Sequence, residues 1–107
     1  MKYGNKKTTF AGITFDSKKE AERYIVLKAM ENLGAIKDLR RQVPFVLIEG
    51  KRWSNGKKHR DTVYKADFVY TLDDETVVED VKGFRTDVYK LKRELMKDKY
   101  DIEISEV

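Results

Sequence analysis

The segment from Val63 to Lys82 limits the possible folds more than any other part of the chain. Two runs rich in β-branched and aromatic residues, Val63 to Tyr70 and Thr76 to Lys82, flank an acidic turn at Asp73-Asp74, which is the pattern of a β-hairpin. If the turn centres between Asp73 and Asp74, residues whose numbers add to 147 oppose each other across the strands, and two-residue and four-residue loops keep that register alike. Asp67 then faces Asp80, with β-carbons about 4.5 to 5.5 Å apart. Carboxylates that close repel strongly unless a proton or a cation lies between them. Alternation also sets Lys82 on the side of Asp80 and predicts Tyr64, Ala66, Phe68 and Tyr70 on one face, with Val63, Lys65, Asp67 and Val69 on the other. The plainer alternative is an Asp80–Lys82 ion pair with Asp67 at a sheet edge, but aspartate is disfavoured inside strands.

The rest of the chain supplies partners for this hairpin. Residues 1–8 read as a polar, basic arm, followed by an extended piece from Thr9 to Phe15 with Gly12 as its turn. Ser17 and Glu20 form a capping box for a helix running to about Leu33, with Gly34 as its stop. Arg41 to Ile48 is a predicted strand whose Pro44 favours an edge position or a bulge. Thr86 or Asp87 can cap a second helix with Val88, Leu91, Leu95 and Met96 at helical spacing, and Asp101 to Val107 reads as a last short strand. The expected order is helix, strand, strand, strand, helix, strand, in one domain of 107 residues.

Charge is divided along the chain. Lys37 to Lys65 carries nine basic residues against three acidic ones, whereas every charge from Asp73 to Asp80 is negative. Residues 49–62, with Asn55-Gly56, read as a basic hairpin or flap. In it Lys51, Arg52, Lys57, Lys58 and Arg60 suit phosphate contacts, and Trp53 suits either stacking on an unpaired base or an edge role. Lys92 on the second helix is a further phosphate candidate, and Gln42, Thr86 and Tyr89 are candidates for secondary roles. With no cysteine and one histidine, His59, any metal must be held by carboxylates and carbonyls, which favours magnesium or manganese. No apolar run approaches membrane-spanning length, so a protein of the cell interior with no membrane partner is expected.

Ala66-Asp67, followed after a hairpin by Asp80-Val81-Lys82, resembles the PD-(D/E)XK nuclease signature, and the element order matches that superfamily's minimal αβββαβ core. The wider pattern of Phe15-Asp16-Ser17-Lys18-Lys19-Glu20-Ala21, Ala66 to Tyr70, Val78 to Gly83 and Thr86 to Tyr89 is similar to small phage and prophage members over nearly the whole chain. The resemblance implies a restriction-endonuclease-like α/β fold, with a mixed central sheet flanked by helices. It also implies a magnesium- or manganese-dependent DNA endonuclease that serves phage or prophage DNA processing or recombination, with branched junctions among its substrates, in the cytoplasm of a bacterial host. Asp67, Asp80 and Lys82 are then catalytic, and Glu20, at the matching helix position, joins Asp67 and Asp80 in holding the metal; Glu22 and Glu31 are weaker substitutes. The helix cap explains Glu20 without catalysis, so both roles stand at this point. Ala66 replaces the usual proline, and Asp80 is shorter than the more frequent glutamate. Cutting two strands calls for two active sites, hence a homodimer. A nucleic-acid-binding protein that keeps the fold without turnover is the alternative, although it has no use for Asp67, Asp80 and Lys82 together.

Overall fold

Residue conformation at the two tightest turns decides how the chain begins and how its centre is aligned. In the computed structural model, which describes residues 6–81 and 83–107, β1 (Thr8–Phe10) and β2 (Ile13–Phe15) pair through a two-residue loop, with Ala11 at φ 52° and Gly12 at φ 77°. Positive φ at both loop residues is the mirror-image turn whose twist suits a hairpin. The same device joins β4 (Thr62–Leu72) to β5 (Glu75–Asp80), where Asp73 and Asp74 have φ of 50° and 65°. The register follows from it: Leu72 opposes Glu75, Val69 opposes Val78 and Phe68 opposes Glu79, the alignment expected from the sequence.

Helix α1 (Lys18–Asn32) starts where the Ser17 hydroxyl accepts the Glu20 N–H at 3.1 Å. It stops at Gly34, whose φ of 80° suits glycine and whose N–H returns to the Glu31 carbonyl. Strand β3 (Lys37–Ile48) begins four residues earlier than Arg41 and pairs with β4; α2 (Asp87–Tyr100) is capped by Thr86, which accepts the Tyr89 N–H at 3.0 Å. The sheet order is β3-β4-β5-β6, antiparallel except that β6 (Ser105–Glu106) lies parallel to β5. Only a crossover such as α2 can join parallel neighbours. The result is an α/β domain with a mixed four-stranded sheet and two helices. Pro44 lies in β3, an edge strand, where its missing N–H is tolerated. Among the described residues no helix is long and apolar enough to cross a membrane.

The two faces of the sheet carry separate cores. Leu27 of α1 packs with Ile36, Phe68 and Tyr70, supported by Tyr24, Met30, Leu39, Val77 and Val81. On the other side Tyr89 and Met96 of α2 pack with Leu47, Tyr64, Ala66, Val69 and Val78. Simple alternation does not survive here. Tyr64 and Ala66 face α2 while Phe68 and Tyr70 face α1, so the expected single face is split at Asp67. Strand β3 switches at the matching rung: Val43, Phe45 and Leu47 face α2, whereas Leu39 packs on the α1 side and Arg41 lies over the Phe15 ring. The switch falls at Gln42, whose φ of 53° interrupts the extended backbone and so resets which way successive side chains point. Arg41 pairs with Phe68 and Val43 with Ala66, so both strands change sides together.

Helix α2 also differs from its sequence pattern. Val88 and Leu91 are 64% and 61% exposed, and burial falls on Tyr89 and Met96, seven residues apart. At its end Asp101 takes φ 56°, which leaves Ile102 and Ile104 to pack against the α2-side core outside a strand. The last strand is therefore Ser105–Glu106 instead of the whole stretch from Asp101.

Since Asp73 and Asp74 sit adjacent, both at positive φ and both acidic, glycine suits the second position better. Asp74→Gly is expected to stabilise the fold by roughly 0.5–1 kcal/mol, read from the urea midpoint at unchanged slope. A destabilised variant would show that the aspartate side chain itself supports the turn.

Candidate active site

The switch point at Gln42 and Asp67 is also where the acidic side chains meet. Continued one step beyond the last paired rung, Phe68–Glu79, the β4–β5 register carries Asp67 toward Asp80. Asp80 is 2% exposed and Glu20 4%, while Asp67 is partly buried. Burial of ionised carboxylates is costly unless each finds partners, and each does. Asp67 accepts the Val81 N–H at 2.8 Å on one oxygen and the Gln42 amide at 3.3 Å on the other. The same Gln42 nitrogen donates to Glu20 at 3.3 Å, and Arg41 comes within 3.6 Å of that Glu20 oxygen. Asp80 accepts the Tyr64 hydroxyl at 2.7 Å.

Glu20 therefore serves two purposes. Its backbone N–H completes the helix cap with Ser17, while its carboxylate turns toward Gln42 and Arg41. Buried carboxyls next to one another hold protons more tightly. The Asp67 carboxyl is pushed up to about 7, first by burial, then by its hydrogen bond with Asp80 and the Asp80 charge, against the lowering effect of the Val81 N–H. Burial likewise raises Glu20, helped by Asp16 and opposed by Arg41. The Tyr64 hydroxyl is raised far above the usual phenol range by burial and by Asp80, so it stays a donor.

A second polar cluster fixes the neighbouring position. Glu79, 1% exposed, receives the Arg23 guanidinium on both oxygens, at 2.8 and 2.6 Å, and the Tyr70 hydroxyl. Arg23 lies one turn beyond Glu20 on α1, so this ion pair ties the helix to β5 beside Asp80. Below Asp80, the Val107 N–H donates to its carbonyl at 3.1 Å, and Glu106 is held by Tyr89 at 2.6 Å, Arg85 at 3.0 Å and Arg93 at 3.1 Å.

Of the residues singled out in the sequence, Glu20, Asp67, Asp80 and Gln42 converge. Lys82 lies outside the described residues. Thr86 is a helix cap, and Tyr89 serves the α2-side core and Glu106. The Lys92 ammonium donates to the Val63 carbonyl at 2.8 Å. Lys51, Arg52, Lys57, Lys58 and Arg60 are exposed on the hairpin between β3 and β4, and Trp53, 57% exposed, stacks on His59 outside both cores. Tyr64, Arg23 and Glu79 were missed. Alternation had placed Tyr64 away from Asp80's side, and Glu79 was hidden as the plain neighbour of Asp80; an acid alternating with valines in a buried strand was the available signal. Among the described residues no group of three acidic or histidine side chains is arranged to hold a metal ion.

Fold and site thus define a small α/β domain with paired carboxylates at a break in its mixed sheet. The chain belongs to the family described as "protein of unknown function (DUF1064)", whose model matches residues 1–105. No curated protein and no solved structure matches it.

The raised Asp67 gives a pH signature. Between its ordinary value of 3.8 and its folded value of about 7, the folded chain keeps a proton that the unfolded chain has lost. Stability from this group is complete below that window and is lost as pH rises through it. In Asp80→Asn an amide replaces the second charge, still accepts from Tyr64 and can donate to Asp67. In EDTA the variant is expected to be about 1–3 kcal/mol more stable near pH 8, the gap closing toward pH 4, in urea unfolding across a pH series. Identical pH profiles for variant and wild type would contradict this account of the pair.

Proposed function

We propose that the chain is a divalent-metal-dependent DNA endonuclease of the PD-(D/E)XK type. The observation that carries the reading is the convergence of Asp67 and Glu20 on one Gln42 amide beside the buried Asp80, where burial and the Asp80 charge raise the Asp67 carboxyl. Support also comes from the helix, three antiparallel strands, helix and parallel strand, in sheet order β3-β4-β5-β6, the arrangement expected of a restriction-endonuclease-like core.

The donor chemistry fits a hard ion. Asp67, Asp80 and Glu20 offer oxygen alone, and a cation relieves the repulsion that raises Asp67. These three residues would hold magnesium or manganese, with Glu20 exchanging its Gln42 and Arg41 contacts for it. When bound, such an ion polarises the scissile phosphate and makes its water acidic. The chain's own groups do the rest. Tyr64 fixes the orientation of Asp80, and the Val81 N–H fixes Asp67. Preorganised groups of this kind need no rearrangement as charge develops. Lys82, two residues beyond Asp80 in sequence, is assigned to orienting the attacking water, and the basic hairpin to holding the DNA backbone. Phage or prophage DNA processing, branched junctions and a homodimer with two sites belong to the same proposal. One observation favours binding without turnover: Gln42 and Arg41 already satisfy Glu20.

Incubation of purified protein with supercoiled, linear and four-way-junction DNA separates the two. Cleavage is expected with magnesium or manganese and none with EDTA. Asp67→Asn and Asp80→Asn are expected to lower the rate by roughly 100-fold or more, the scale of losing one preorganised electrostatic group. Glu20→Gln should fold normally and lose most activity; a destabilised but fully active variant would leave Glu20 as a helix cap only. Uncut DNA under every metal condition, with Asp80→Ala binding DNA as wild type does, would falsify the nuclease reading.

A further inference from the structure

The hairpin between β3 and β4 is a built surface. Arg52 bridges Lys58, the Trp53 N–H bonds the Lys57 carbonyl and the His59 N–H bonds the Lys51 carbonyl, each at 2.9 Å. Its tip is a turn from Trp53 to Gly56, closed by the Gly56 N–H at 2.9 Å, with Gly56 at φ 82° and the Arg52 guanidinium on the Gly56 carbonyl at 2.7 Å. At its base a Cβ on Gly50 would lie 1.9 Å from the His59 carbonyl oxygen, and the Gly50 N–H is held by Asp61 at 2.7 Å. The two arms are thus pinned together at tip and base.

Alternation along these arms puts Lys51, Trp53, Lys57 and His59 on one side and Arg52, Lys58 and Arg60 on the other. Trp53 and His59 stack with ring centroids 3.5 Å apart and planes 17° from parallel. One indole face is covered by the imidazole, yet the residue stays 57% exposed. An indole anchored on one side, solvent-facing on the other and flanked by two lysines has the composition of a single-strand platform: aromatic faces take bases, and cations follow the backbone. Stacked base pairs offer no free face to it.

We propose that Trp53, backed by His59 and flanked by Lys51 and Lys57, is a stacking platform for an unpaired DNA base, so that the substrates are those exposing single-stranded nucleotides. This rests on reading the chain as a protein that acts on DNA, and it adds to that reading the structural class of DNA.

Trp53 is the only tryptophan, so its emission reports on the platform alone. Asp80→Asn protein in EDTA, which keeps every hairpin residue and cannot cut, is titrated with oligothymidine of about 12 nucleotides and with a duplex of equal length. Single strands are expected to quench the emission. Trp53→Ala should weaken single-strand binding about tenfold or more, by anisotropy of labelled DNA, change duplex binding by less than about twofold, and be largely rescued in Trp53→Phe. If single strands bind without quenching the emission of Asp80→Asn protein, or if Trp53→Ala in the same background weakens both DNAs equally or neither, the platform is wrong. The emission titration of Asp80→Asn protein, with Trp53 in place, decides even if the alanine variant loosens the hairpin. Failure to cut DNA with metal would overturn the nuclease reading and leave this titration unaffected.

Discussion

Asp67 and Asp80 sit where mutual repulsion and loss of solvent act on the same two carboxyl groups. Such a pair persists only because its surroundings are over-determined. The left-handed turn at Asp73-Asp74 fixes the register that opposes them, the Tyr64 hydroxyl and the Val81 N–H each hold one acid, and the Gln42 amide ties Asp67 to a glutamate on a different element. The Arg23–Glu79 ion pair locks α1 against β5 one residue from Asp80. Removal of one partner from such a network leaves a charge without compensation, which costs far more than the pair contributes when complete. Stability alone does not call for it, since an apolar pair in such a position is often as stable or more so.

Much of this was legible in the residues. Register came from the turn, because a two-residue loop between Asp73 and Asp74 leaves one alignment, and the helix start at Ser17 came from hydrogen-bonding chemistry that acts over three residues. What was not legible depends on tertiary contact. The pattern from Tyr64 to Tyr70 looks like one face of one strand, and nothing local says that it changes sides at Asp67. That change is imposed by Gln42 on another strand, 25 residues earlier. Likewise the spacing of Val88, Leu91 and Leu95 is a sound helical stripe, but the helix docks through Tyr89 and Met96, since Tyr89 also satisfies Glu106. For Glu20, sequence left a helix cap and a carboxylate site side by side; in the structure its backbone N–H meets Ser17 while its side chain turns to Gln42 and Arg41.

The exchange of faces also explains how so thin a sheet serves two helices and still exposes acids to one another. A strand with strict alternation sends each side chain to one core or the other. At the rung of Gln42 and Asp67 the side chains belong to neither, so this rung can hold polar groups without cutting into either apolar cluster. The basic hairpin grows from the far ends of the same two strands, which links it with the acids by continuous backbone.

Because β3 and β4 change sides at the same rung, they can gain or lose residues between that rung and the hairpin only in concert. A deletion in one strand alone would send Val43 and Ala66 to opposite cores. Evolutionary length change is therefore channelled into residues 49–61, beyond the last paired rung of Ile48 and Thr62. The arm that carries Trp53 is thus free to lengthen, shorten or change its aromatic residue while the acids at the other end of the strands keep their places, so the exposed surface can vary without disturbing the buried carboxylates.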